Sequence, residues 1–233
     1  MHKFIANSGY CSRRKAEKLI AEGKVKVNDL TITKMGFKVN DLDVVYVDDN
    51  LIVDKKEYIY LMFNKPKNCI TTLIDPLGRK TIMDYLQNLD IRVYPVGRLD
   101  FDVSGLLLIT NDGDFTNKII HPKHNINKKY EILIKGLVKD STLKPLLSGV
   151  KIKEFITSPA KYQIIKTDGI ENTSLIHLVI HEGKTHQVKN MMKAVGLRIL
   201  ELKRIEIGDL KLDPKLKTGE YRELTISEVN SFK

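Results

Sequence analysis

Six strand-like apolar runs constrain the fold of this chain more than any other feature. They read "YIYLMFNKP" (58–66), "SGLLLIT" (104–110), "KYEILIKG" (129–136), "SLIHLVIHEG" (174–183), "RILELKRIEIG" (198–208) and "YRELT" (221–225). Helical spacing of apolar residues occurs between them at "TIMDYLQNL" (81–89), "DFTNKIIH" (114–121) and "THQVKNMMKAVG" (185–196). No period of 20 to 50 residues repeats, which excludes a solenoid. Strands interleaved with few helices predict an α+β domain with a mixed, mainly antiparallel sheet over residues 59–233.

The first 46 residues differ in character. Residues 3–26 carry seven Lys and Arg against two Glu. In "SGYCSRRKAEKLIAEGKVKVND", Ser12 is placed to cap a helix, Ala16, Leu19 and Ile20 follow at helical spacing, and Gly23 is placed to end it. "KVKVN" then alternates as a strand and turns at Asn28–Asp29. Arg13, Arg14, Lys15 and Lys18 crowd the start of the helix, where its dipole favours acids. A charge placed against the dipole points to a use other than stability. With Lys24 and Lys26 on the strand that follows, these residues form a candidate nucleic-acid surface. Residues 1–46 thus read as a small helix-then-strand module. Residues 47–58, charged and without a period, read as a linker.

Charge agrees with a polyanionic partner. There are 39 Lys and Arg against 29 Asp and Glu, a net charge of +10. With no Trp and 7% aromatic residues, base stacking falls to a few Tyr, Phe or His. Cys11 and Cys69 form neither a disulfide framework nor a metal-ligand pair, and the six His lack paired-ligand spacing. They fit free thiols in a reducing cytoplasm, with no metal. No apolar run reaches the roughly 20 residues that span a bilayer, and the start has no leader-like segment. Nucleotide-binding glycine motifs and a nucleophile elbow are absent.

Candidate chemistry centres on "VGRLDFDVSGLLLITNDGD" (96–114). Asp100 lies in a loop anchored by the apolar strand that follows, which holds a carboxylate well enough for a nucleophile or base. Arg98 is its candidate counterion. Asp102 reads as a turn residue. Tyr130 opens a strand after two lysines, a half-buried position that matters only if it faces the same pocket as Asp100. In "HEGKTHQVKNMMKAVG" (181–196), Lys184 and Lys189 are placed to meet phosphate or a carboxylate.

Taken together, "GRLDFDVSGLLLITNDGD", "KKY", "EGKTHQVKNMMKAVG" and the "NKP" at 64–66 resemble the motifs of bacterial ribosomal RNA pseudouridine synthases. "KFIANSGYCSRRKAEKLIAEGKVKVN" resembles the S4-type RNA-binding domain that commonly precedes them. The resemblance implies an α+β protein, with an S4-like domain before a synthase domain. It implies isomerisation of a uridine flipped from its stack. Asp100 would be the essential aspartate, Arg98 would displace or hold the flipped base, Tyr130 would stack on the uracil, and Lys189 would pair with Asp100. Many relatives carry arginine at the position of Lys189, and a lysine is a point charge rather than a fork. No cofactor is implied, because the substrate supplies every atom. "HQVKNM" and the C-terminal stretch resemble the small-subunit enzymes, implying 16S rRNA or a small-subunit assembly intermediate as partner of a cytoplasmic monomer. "DPLGRKT" (75–81) is shared with large-subunit members and keeps 23S rRNA open. Two competing readings are a non-catalytic RNA-binding protein and a glycosidase-like hydrolase using Asp100 with Glu182.

Overall fold

The computed structural model describes residues 1–40, 42–53, 57–86, 89 and 91–232. The chain divides into two compact units, one of residues 1–59, 89–93 and 111–113 and one of residues 60–88, 94–110 and 114–233.

In the first unit, helices α1 (His2–Asn7) and α2 (Arg13–Ala21) precede strands β1 (Val25–Val27), β2 (Leu30–Ile32), β3 (Val45–Val47) and β4 (Asn50–Ile52). Ser12 caps α2, its side chain accepting from the Lys15 amide at 3.2 Å. Gly23 follows the helix end with φ +69°, the left-handed turn that glycine adopts freely. The strands form an antiparallel sheet in the order β2-β1-β3-β4. Ile5, Ala16, Leu19 and Ile20 of the helices pack on Val25, Val27, Val45 and Val47.

The linker expected over 47–58 contains structure. Asp48 and Asp49, with φ of 45° and 60°, make the tight turn of a β3–β4 hairpin. Residues 54–56 of that stretch lie outside the described residues. The hairpin is hard to see in sequence because β4 has three residues, of which only Ile52 is buried.

The second unit is built on one large sheet. Its strands are β5 (Tyr60–Lys65), β6 (Tyr94–Pro95), β7 (Ser104–Thr110) and β8 (Lys128–Lys135), a small hairpin of β9 (Lys151–Ile152) and β10 (Phe155–Ile156), then β11 (Lys161–Asp168), β12 (Thr173–Ile180), β13 (Arg198–Ile207), β14 (Leu210–Lys211) and β15 (Tyr221–Glu223). The order is β11-β12-β8-β13-β7-β5-β15, with β14 paired to β13 and β6 to β7. Neighbours run antiparallel except β7 and β13, which run parallel through Ser104–Lys203 and Gly105–Arg204. The strands approach so closely there that a Cβ on Gly105 would stand 2.2 Å from the Arg204 carbonyl oxygen, and Gly105 itself has φ +104°. Only glycine fits that seam.

β7 is buried on both faces, as its unbroken apolar run requires, whereas β8 and β12 alternate. Leu106 and Leu108 pack with Met62, Val96, Phe115 and Ile119 of helix α3 (Gly113–Ile120), and with Val229 of helix α6 (Ile226–Asn230). Each such side chain contributes roughly 1.5–3 kcal/mol by burial. Helix α4 (Asp140–Leu143) is a single turn, and α5 (Gln187–Ala194) follows β12. The helix expected over 81–89 is instead one 3₁₀ turn, Ile82–Tyr85, capped by the Thr81 amide donating to the Asp84 carboxylate and by the Met83 amide donating to the Thr81 hydroxyl. Residues 87 and 88 lie outside the described residues. Among the described residues no helix is long and apolar enough to cross a membrane.

Candidate active site

A cavity of about 150 Å³ opens in the second unit, beside the parallel seam. An apolar cavity of that size admits a single six-membered ring. Asp100, Tyr130, Lys189 and Arg98 all line it, so residues from three stretches far apart in sequence share one site. Ile180, Val188, Leu202 and Ile207 supply apolar wall. Among the described lining residues Asp100 is the sole carboxylate.

The loop carrying Asp100 is pinned from several sides. Gly97, at φ +75°, lets the chain turn out of the sheet. The Thr71 hydroxyl donates to the Leu99 carbonyl at 2.7 Å, and the Asn68 amide donates to the Phe101 carbonyl at 2.7 Å. Beneath the loop lies Lys65, which is fully buried. Its ammonium donates to the carbonyls of Pro66 (2.9 Å), Asp100 (3.1 Å) and Val103 (2.9 Å). Burial pulls the Lys65 ammonium down to about 8. The "NKP" stretch thus holds the loop from the end of β5.

Lys189 on α5 is the counterion. Its Nζ lies 3.1 Å from Asp100 Oδ2 and closer still to Asp102 Oδ1. Burial lowers the Lys189 ammonium, but hydrogen bonds to Asp102 and Asp100 outweigh it and the net direction is upward. For Asp102 burial acts upward, and the bond from Lys189 brings the carboxyl below its ordinary value. Asp102 is therefore more than a turn residue: it shares the lysine. Arg98, expected as the counterion, is exposed and makes no ion pair among the described residues. It lines the cavity mouth instead. Tyr130 is buried to 9% exposure, with its ring at the cavity.

Glu182 does not line the cavity. Its carboxylate accepts from the Ser158 amide and hydroxyl and from Gln187 Nε2 at 2.6 Å, which removes the paired acid that a hydrolase needs. Lys184, also on the cavity wall, sits over the Phe155 ring and approaches the Glu182 carboxylate at 4.0 Å. Among the described residues no group of three His, Cys, Asp or Glu is placed to hold a metal ion.

In the first unit Arg13, Arg14 and Lys15 are exposed on the first turn of α2 and form no ion pair among the described residues. Lys18 and Lys24 approach Glu22 at 3.7 and 3.0 Å, and Lys26 bonds Asp49 at 2.8 Å. Three of the six expected RNA-facing cations therefore already have a carboxylate partner.

Comparison with known proteins decides the family. The model of RNA pseudouridylate synthases matches residues 59–194, and that of the S4 domain matches residues 2–45. "Ribosomal large subunit pseudouridine synthase B" of Bacillus subtilis (strain 168) is 44% identical over all of this chain and 95% of its own length. The chain belongs to the RNA pseudouridylate synthase family. A protein of the same name from Pseudomonas aeruginosa (strain PAO1) is 35% identical over 99% of this chain and 60% of its own length. A solved structure, "Crystal structure of pseudouridylate synthase", matches with TM-score 0.71 and 32% identity over 100% of this chain and 98% of that one. The expected S4-plus-synthase α+β organisation is the one found.

Four residues of this synthase's site have no role assigned from sequence, although Lys65, Lys128 and His186 lie inside the "NKP", "KKY" and "EGKTHQVKNMMKAVG" stretches. Lys65 is one. His186, in the left-handed region at φ 54°, brings Nε2 to 3.6 Å from Asp100 Oδ1. Lys128 and Arg204 line the cavity at 9% and 4% exposure. A signal for Lys128 is present: it stands two residues before Tyr130, hence on the same strand face.

Proposed function

We propose that this synthase converts a uridine of 23S ribosomal RNA to pseudouridine, with Asp100 as its essential carboxylate. The observation that carries the reading is the convergence of Asp100, Lys189 and Tyr130 on one base-sized cavity. The target uridine leaves its stack at a cost of a few kcal/mol. Tyr130 offers its ring to the base, and Arg98 at the mouth holds the displaced strand or base. Asp100 acts on the sugar while Lys189 stays bonded to it and to Asp102. The product is an isomer of the substrate, so atoms balance without a cofactor. The S4 domain holds the RNA through phosphate contacts, which position without reading sequence. Exposed Arg13, Arg14 and Lys15 are the cations available for this.

The large subunit is preferred because both named ribosomal relatives are large-subunit synthases, one identical at 44% of positions over the whole chain. These names outweigh the short motif resemblances that favoured 16S rRNA.

The test is tritium release from 16S and 23S rRNA carrying uridine tritiated at carbon 5, since bond formation there expels that hydrogen. Release of about one equivalent from 23S, abolished in a folded Asp100→Asn protein that still binds RNA, is the expected result. Release from 16S alone overturns the substrate, and an active Asp100→Asn protein overturns the role of Asp100.

A further inference from the structure

Lys128 and Arg204 are two buried cations with no carboxylate partner among the described residues, and both line the cavity that holds Asp100. Lys128 Nζ donates to the carbonyls of Ile126 (2.9 Å) and His181 (3.0 Å). Arg204 Nε donates to the Leu106 carbonyl at 2.8 Å, while its Nη2 is buried without any hydrogen-bond partner. Arg204 stands directly across from Tyr130 in the β8–β13 register, and Lys128 is two residues from Tyr130. All three therefore share one face of the sheet.

An unneutralised buried charge is costly, and here two lie side by side. Burial, and then the charge of Arg204, pull the Lys128 ammonium down to about 8. A fold keeps such a pair where negative charge arrives. Both side chains are donors only, and uracil offers them O2 and O4 as acceptors.

We propose that Lys128 and Arg204 hold the uracil as an anion while it is detached from the sugar. This deepens, and rests on, the assignment of the site as a uridine isomerase. The C1′–N1 bond breaks, and its electron pair departs with the base and spreads over N1, O2 and O4. Asp100 meets the electron deficiency left at the sugar. The base turns within a cavity its own size, carbon 5 supplies a pair to C1′ as Asp100 is released, and the carbon 5 proton passes to solvent while N1 takes one up. The two cations act on the charge that exists only between these bond changes, the condition for electrostatic catalysis. They also retain the free base, which separates isomerisation from hydrolysis.

Lys128→Gln and Arg204→Gln remove the charge yet keep N–H donors for the three carbonyls. With the full-length protein, single-turnover conversion of rRNA uridine is followed by mass spectrometry of nuclease digests. The rate falls about 100-fold in each variant, the scale of losing one preorganised donor, with RNA affinity unchanged. The same measurement on RNA containing 5-fluorouridine separates roles, because fluorine draws off electron density and makes the base a better leaving group. Cleavage of its glycosidic bond should show a deficit smaller by about tenfold. A deficit equal on both substrates, or parental rates in both Gln variants, overturns the proposal. If a Gln variant fails to fold by circular dichroism, Lys128→Arg and Arg204→Lys decide: a folded charge-keeping variant within about tenfold of parent supports the idea, and a folded inactive one refutes it. A parent protein that converts uridine in neither rRNA refutes the isomerase assignment itself.

Discussion

Lys65→Met tests whether the buried ammonium beneath the Asp100 loop is what holds that loop. Three carbonyls lose their donor, and each buried acceptor left unpaired costs about 1–3 kcal/mol. Against this, the variant no longer buries a charge. The fall of the ammonium from 10.5 to about 8 corresponds to about 3 kcal/mol of relief. The net expectation at pH 7 is a loss of about 3 kcal/mol. The sign of the pH dependence follows from linkage. The folded ammonium titrates below the unfolded one, so the penalty in the parent is complete below pH 8 and is relieved as pH rises towards 10.5. The parent therefore gains about 2 kcal/mol at pH 9.5 that the variant does not, and the gap widens to about 5 kcal/mol. Urea unfolding of both proteins at the two pH values measures it. Tritium release should fall about 100-fold, because misplacing a reacting group by an ångström costs that much. A gap that stays constant or narrows with pH, or a fully active variant, refutes the reasoning.

Lys189→Met should slow tritium release about 100-fold, while Lys189→Arg retains most activity because a guanidinium reaches both Asp100 and Asp102; equal loss in both would contradict a charge role. Gly105→Ala should destabilise by about 4 kcal/mol or more in urea unfolding, since its methyl would meet the Arg204 carbonyl. Replacing Arg13, Arg14 and Lys15 together by Gln should reduce the slope of log affinity against log salt by about 2 for single-stranded RNA. Lys24→Gln and Lys26→Gln should change it less, because those ammoniums already meet Glu22 and Asp49.

The sequence made some of this legible and hid the rest, for reasons that differ by residue. Asp100, Tyr130 and Lys189 sit in dense motifs, each beside an apolar strand or helix face that fixes its position, and the cavity unites them. Arg98 misled because a neighbour in sequence is not thereby an ion-pair partner: its exposed side chain lies at the same cavity, and the counterion is Lys189 on α5, as the resemblance implied. Lys65 and Lys128 stand in the "NKP" and "KKY" stretches, but their burial, and that of Arg204, could not be read because a lysine or arginine in a strand ordinarily reads as an exposed polar position. Burial against carbonyls is set by tertiary packing, which no local pattern records. The β3–β4 hairpin was missed because an Asp-Asp turn is a weaker signal than Asn-Gly, and because three-residue strands carry almost no period.

The parallel seam between β7 and β13 also governs when the site can exist. Ser104 and Gly105 meet Lys203 and Arg204 across about 100 residues of intervening chain, a long loop to close before any contact repays it. During synthesis, β5, β7 and β8 emerge first and can pair locally only in part, since β13 separates β7 from β8 in the finished sheet. Until β13 arrives, nothing joins β8, which carries Tyr130, to β7, which anchors the Asp100 loop. A nascent chain beside ribosomal RNA therefore carries its S4 module long before it carries a base-sized cavity: it can bind before it can react.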